Sequence, residues 1–157
     1  MVAYLALGSN LGDRHAEIRR ASQALSALGR VAAVSALYET EPEGGAAQPR
    51  YVNAVARVET ELSARELLDA CLDIERARGR IRPADKGKAP RTIDIDLLLY
   101  AGDVLAEPGL ALPHPRLLAR PFVRIPLADV ALPGLRHPVS GEALDSAESD
   151  ATVRRML

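Results

Sequence analysis

Asp94 and Asp96 lie in the run PRTIDIDLLLY, residues 90 to 100. If that run is a strand, alternation places both carboxylates on one face and Ile93, Ile95, Leu97 and Leu99 on the other. The carboxylates then stand about 7 Å apart along the strand, at roughly 3.3 Å per residue. Neighbouring carboxylates repel, and one is driven toward protonation unless they share a cation. Oxygen-only ligation by two aspartates suits Mg²⁺, which keeps waters and takes phosphate oxygens as its remaining ligands. Any amphipathic strand with a polar outer face shows the same D-x-D spacing without a metal. The neighbouring residues therefore decide between the two.

Immediately upstream, residues 76 to 91 (RARGRIRPADKGKAPR) carry Arg76, Arg78, Arg80, Arg82, Lys86, Lys88 and Arg91 against a single acid, Asp85. Glycine and proline interrupt the segment, which predicts a mobile loop. Alone, it would read as a solvated charge run or a nucleic-acid arm. Beside two metal-binding carboxylates it supplies guanidinium donors that could close over a phosphate chain, the parts needed for phosphoryl-type transfer. Such chemistry requires no protein nucleophile. The chain has no G-x-S-x-G and no G-x-x-x-x-G-K-[ST] loop, and GSNLGD (8–13) resembles a phosphate loop only in containing glycine.

The elements that must hold these residues alternate along the chain. VAYLALG (2–8) reads as a strand, and EIRRASQALSALG as a helix with Ile18, Ala21, Leu25 and Leu28 at helical spacing and Gly29 at its stop. Residues 31–40 read as a second strand. Residues 51–61 read as a third, with Val52, Ala54, Ala56 and Val58 on one face and Tyr51 and Asn53 on the other. Ser63 with Glu66 three residues on is a capping-box signature, opening a helix that carries Leu67, Leu68, Cys71 and Leu72 and ends at Gly79. TIDIDLLLY is the fourth strand. The order βαββαβ predicts an α+β ferredoxin-like sandwich, an antiparallel sheet with helices on one face and loops forming the active site on the other. Beyond Gly102 the chain is proline-rich and irregular, with a short helix expected near 116–120. Residues 142–157 read as a surface tail on a single domain spanning 1–157.

Composition narrows the function classes. A chain of 157 residues with 48% hydrophobic content can bury one sizeable core. A net charge of -1 argues against a protein that coats nucleic acid. Cys71 is the only cysteine, so no internal disulfide forms, and His15, His114 and His137 make no zinc-type spacing with it. No apolar run approaches the ~18 residues of a membrane span, and MVAYLALGSN lacks the basic start of a signal peptide. The expectation is a cytoplasmic monomer without membrane or nucleic-acid partners.

The ordered set G-S-N-L-G after the first strand, Y-x-N-A-V on the third, G-R-x-R, P-R-T-I-D-I-D-L-L-L-Y and L-P-H-P-R-x-x-x-R-P-F resembles the 6-hydroxymethyl-7,8-dihydropterin pyrophosphokinase family of folate biosynthesis. It runs from about Tyr4 to about Pro138. The resemblance implies an ATP-dependent diphosphotransferase with small-molecule substrates, ATP and a reduced pterin, and two Mg²⁺ ions. It implies that Asp94 and Asp96 are the metal ligands, that Arg80 and Arg91 act on the diphosphate during transfer, and that Arg82 belongs to the closing loop around ATP. Glu75, Ile95, His114 and Arg120 match nucleotide-binding positions. Glu75 is notable on spacing alone, because it falls on the apolar stripe of its helix, where it is either an edge acid reaching solvent or an acid with a task. A flat, polar heterocycle needs aromatic faces and amide-type edge partners. Tyr51 and Phe122 match the family's stacking pair, Asn53 its edge reader, and Thr40 a further hydrogen-bonding position for the pterin.

The chain departs from the family pattern at ADKGKAP, where an aromatic element is common, at Glu41 and Glu43, where apolar residues are usual, and at Ala111, where a hydroxyl residue is common. Two other function classes remain at this level. One is another Mg²⁺-dependent phosphotransferase using the same aspartates and arginines. The other is a noncatalytic ferredoxin-like module that binds a ligand or RNA through the basic loop.

Overall fold

The computed structural model describes residues 1–9, 13–40, 51–77 and 93–156. The expected mobile loop with Arg80, Arg82 and Arg91, and residues Glu41 and Glu43, lie outside them. The elements run β1 (Val2–Ser9), α1 (Arg14–Leu25), β2 (Arg30–Val34), β3 (Tyr38–Thr40), β4 (Tyr51–Glu59), α2 (Ala64–Ala77), β5 (Asp94–Tyr100), β6 (Leu105–Glu107), β7 (Leu110–Leu112), α3 (Pro121–Val130) and β8 (Val153–Arg155). The main sheet is ordered β5-β1-β4-β3-β8, with β2 also paired to β4, and all its pairings are antiparallel. β6 and β7 form a separate hairpin.

Alternation along β1 and β4 builds two cores. Ala3, Leu5, Leu7, Val52, Ala54, Ala56 and Val58 face α1 and α2 and pack with Ile18, Ala21, Leu25, Leu67 and Cys71. Both helices open on side-chain caps. Asp13 accepts the Ala16 N–H at 3.1 Å. At α2, Ser63 Oγ accepts the Glu66 N–H at 3.1 Å while a Glu66 carboxylate oxygen accepts the Ser63 N–H at 2.9 Å, the predicted capping box. These two helices form the layer expected on one sheet face.

The opposite face carries more than loops. Tyr4, Val55, Leu98 and Leu99 pack there with Leu117, Val123, Leu127, Val130 and Leu144, so α3 and its flanks form a third layer over part of the sheet. The helix expected near 116–120 is a run of turns over 115–119, and the helix itself spans 121–130. Pro121 at its start needs no partner for a missing N–H and has the φ a helix requires.

Three further expectations are corrected. Residues 31–40 form two strands, because Ser35 breaks the run. Its N–H donates to Val55 O and its Oγ accepts the Val55 N–H, both at 2.9 Å, so a side chain replaces one rung of the ladder. In β5 the register shifts opposite Tyr4 and Leu5. Leu98 and Leu99 consequently both join the second core, whereas Leu99 was expected beside Ile95 and Leu97. Residues 142–157 are more than a tail. Leu144 is buried, and β8 pairs with β3 at the end of the sheet.

Candidate active site

β5 ends the sheet of the described residues, so the outward backbone groups of this strand must find partners other than a strand. Glu75, reaching from α2, accepts the Ile95 N–H on Oε2 at 2.7 Å. The His114 N–H donates to Leu98 O at 2.9 Å, bringing the chain beyond β7 against the same edge. These two bonds fix β5 between α2 and the β7 segment. Glu75 is only 2% exposed, so it is not an edge acid reaching solvent.

Between these pieces lies a cavity of about 400 Å³ lined by Glu75, Asp94, Ile95, Asp96 and His114, with apolar walls from Leu68, Leu72, Leu97 and Leu110. That volume falls in the range of small-molecule sites, and a few polar groups over an apolar wall is the usual lining. Sequence reasoning assigned the polar residues to the site but not Leu97, on β5 itself, or Leu110, which β7 brings beside β5. A larger hollow, about 690 Å³, lies between α3 and the 142–150 segment and contains none of the predicted site residues. The smaller cavity is the one lined by the predicted carboxylates and His114.

Asp96 is exposed and Asp94 half-buried. His114 is half-buried, and its Nδ1 accepts the Arg116 N–H at 3.1 Å. Burial lowers the His114 pKa below the usual imidazole range. The Asp96 carboxylate opposes that shift, while Arg120 and Arg116 reinforce it. The imidazole therefore faces Asp96 and Arg120 in its neutral form near pH 7. The Arg120 guanidinium sits 5.4 Å from the centroid of the Phe122 ring, a cation–π arrangement at the start of α3.

The second group of predicted residues lies on the same sheet face, two strands away. Gly8 of β1 stands directly opposite Asp94 on one side and Asn53 on the other. Residues opposed across antiparallel strands share a face, so Asp94 and Asn53 project from one surface with bare backbone between them. Asn53 Nδ2 donates to Thr40 Oγ1 at 2.7 Å, and Thr40 is paired with Tyr51 across β3 and β4. Phe122 packs against the core on this same face. Thr40, Tyr51 and Asn53 thus border one end of the face and Asp94 and Asp96 the other, with Phe122 packed over the same face.

A family model for 7,8-dihydro-6-hydroxymethylpterin-pyrophosphokinase (HPPK) matches residues 4–132. The chain belongs to this family. The HPPK match runs from within β1 past the end of α3 and so includes every described residue of both groups. Among curated relatives, a 2-amino-4-hydroxy-6-hydroxymethyldihydropteridine pyrophosphokinase of Pseudomonas aeruginosa is 47% identical over 137 residues, covering 86% of this chain and 83% of that protein. The protein of the same name from Methylorubrum extorquens is 45% identical over 131 residues, covering 82% of each. In fold, the chain is similar to the crystal structure of wild-type Plasmodium falciparum HPPK-DHPS, with a TM-score of 0.69 at 16% identity over 92% of this chain. It spans 40% of that longer chain. HPPK domains have the ferredoxin-like fold, and the α+β sheet described above is an instance of it.

Proposed function

We propose that this chain transfers the β,γ-diphosphate of ATP to the hydroxymethyl group of 6-hydroxymethyl-7,8-dihydropterin, leaving AMP, in folate biosynthesis. The observation that carries this reading is the row Asp94–Gly8–Asn53. It sets a carboxylate suited to metal and phosphate about 10 Å, two strand spacings, from an amide suited to a heterocycle edge. A bifunctional substrate with a polar ring at one end and a hydroxyl at the other fits that separation.

The donor set fits Mg²⁺, because Asp94 and Asp96 offer only oxygen and stand on the solvent-accessible face. Bound there with ATP, Mg²⁺ would neutralise phosphate charge and orient the chain for in-line attack. Asp94 and Asp96 would hold it. The Glu75–Ile95 bond keeps the β5 backbone in place beneath the two carboxylates. Leu68, Leu72, Leu97 and Leu110 offer an apolar slot for the nucleotide base, with His114 and Arg120 on the phosphate side. Tyr51 and Phe122 would sandwich the pterin ring while Asn53 and Thr40 read its edge. Arg80 and Arg91 are assigned to the migrating diphosphate and Arg82 to closure, on motif position. Charge removal at Arg80 or Arg91 should accordingly lower turnover far more than nucleotide affinity, as for contacts made chiefly in the transition state.

Nucleotide product analysis with purified protein, Mg²⁺, ATP and 6-hydroxymethyl-7,8-dihydropterin tests the assignment. AMP and pterin diphosphate should appear in equal amounts, and only when pterin is present. Asp94→Asn with Asp96→Asn should reduce turnover by a factor on the order of 10³, the scale of several kcal/mol of lost charge stabilisation. ADP as product would mean a different transfer on the same site. Turnover that survives loss of both carboxylates would remove them from the metal site.

A further inference from the structure

Gly8 meets none of the conformational demands that usually place a glycine. Its backbone is not among the left-handed glycines, and it lies within a strand paired on both sides. A glycine inside a strand weakens it, since it brings no side chain to pack and loses more entropy on folding. What remains is the space above it. A Cβ at position 8 would stand 2.9 Å from Asn53 Oδ1, closer than real Cβ atoms approach, and among the described residues its only other neighbour within reach is Val52 O at 4.0 Å. Asn53 cannot simply retreat, because its Nδ2 is committed to Thr40 Oγ1 at 2.7 Å.

We propose that Gly8 is a positioning residue for the pterin, acting through Asn53; this rests on the pyrophosphokinase reading above. The missing side chain lets the Asn53 carboxamide lie over bare β1 backbone, with its Oδ1 end toward Gly8 and its Nδ2 end fixed by Thr40. Held so, the amide presents an acceptor in a set orientation to the N–H groups along the edge of a flat heterocycle. A methyl group at position 8 would push Oδ1 off the strand, strain or break the bond to Thr40 and turn the acceptor away from the ring. Asp94 is outside the reach of that methyl. The effect should therefore fall on the pterin and spare the nucleotide.

The test compares wild type, Gly8→Ala, Asn53→Ala and the double variant in steady-state kinetics with Mg²⁺, ATP and 6-hydroxymethyl-7,8-dihydropterin. Calorimetric titration with a nonhydrolysable ATP analogue and Mg²⁺ accompanies it. Gly8→Ala should fold with an unchanged or higher Tm and bind the analogue as wild type does. Its KM for pterin should rise about tenfold, the equivalent of one misplaced hydrogen bond. In the Asn53→Ala background the same substitution should add little, because there is no carboxamide left to displace. An unchanged pterin KM would overturn the proposal. So would an equal loss of analogue affinity, the same fold-loss in both backgrounds, or a Gly8→Ala chain that does not fold. Wild-type protein that makes no pterin diphosphate would instead sink the underlying reading, and this inference with it.

Discussion

At Glu75 a carboxylate is buried on a helix stripe that otherwise carries Leu67 and Cys71. A buried acid is tolerated only where donors meet it, and the Ile95 N–H at 2.7 Å is one such donor. One turn back on α2, burial pushes the Cys71 thiol pKa up to about 12, with the Glu75 carboxylate adding to the shift, so Cys71 is a packing residue and not a nucleophile. Glu75→Ala removes the acceptor from a buried N–H and should cost about 1–3 kcal/mol, while Glu75→Gln retains an acceptor oxygen and should cost less. Urea unfolding of the two variants measures this; equal losses would mean that the Ile95 bond carries little of the effect. The sequence made Glu75 conspicuous through its misfit with the stripe, and Asp94, Asp96 and Asn53 legible through period-two alternation. It could not show the Glu75–Ile95 bond, which exists only because β5 is a sheet edge. Nor did it single out Gly8, whose role depends on its two cross-strand neighbours rather than its own chemistry.

The elements that follow one period along their length were legible. β1, β4, α1 and α2 match their hydrophobic patterns closely, and the capping box marked the start of α2. The misses occur where a local device interrupts the period. Ser35 ends β2 by lending its hydroxyl to the ladder, and the register shift in β5 moves Leu99 to the other face. The chain beyond Gly102 reads as proline-rich and irregular, yet Pro121 starts α3 and Pro126 lies within it. Pairing of β8 with β3 joins residues far apart in sequence, which local patterns do not encode. Close approach between elements gives a prediction at the same scale. Gly29, in the turn between α1 and β2, lies so near β4 that a Cβ there would stand 2.2 Å from Glu59 O. That oxygen is backbone and cannot swing aside. Gly29→Ala should cost about 1–3 kcal/mol, as overpacking does, read as a lowered urea midpoint with an unchanged m-value. A midpoint equal to wild type would show that the α1–β2 turn shifts freely against the sheet.

In the whole molecule the sheet separates two layers, and among the described residues α3 and its flanks cover part of the face that carries Asp94 and Asn53. The position of α3 therefore sets how much of that face a substrate meets. Apolar contact through Val123, Leu127 and Val130 holds the helix down, and polar contacts fix its C-terminal end. Tyr4 Oη accepts the Leu132 N–H at 3.0 Å, Arg57 donates to Val130 O, and Tyr38 Oη donates to Asp129 Oδ2 at 2.7 Å. The last of these joins β3, the strand that carries Thr40, to α3, the helix that carries Phe122, and so braces the two sides of the proposed pterin site. Burial, then the hydrogen bond to Asp129 and its negative charge, raise the Tyr38 pKa to about 12, against a smaller opposing effect of Arg155. A raised pKa means that folding favours the protonated phenol. Its contribution is therefore complete below the unfolded value near 10 and is lost as pH rises through about 12. Tyr38→Phe should cost about 1 kcal/mol at neutral pH, the typical value of one such bond. It should also flatten the fall in stability between about pH 10 and 12 relative to wild type. Urea midpoints for the two proteins across that range decide the matter, because parallel curves would mean that the phenol proton does not hold α3 to the sheet.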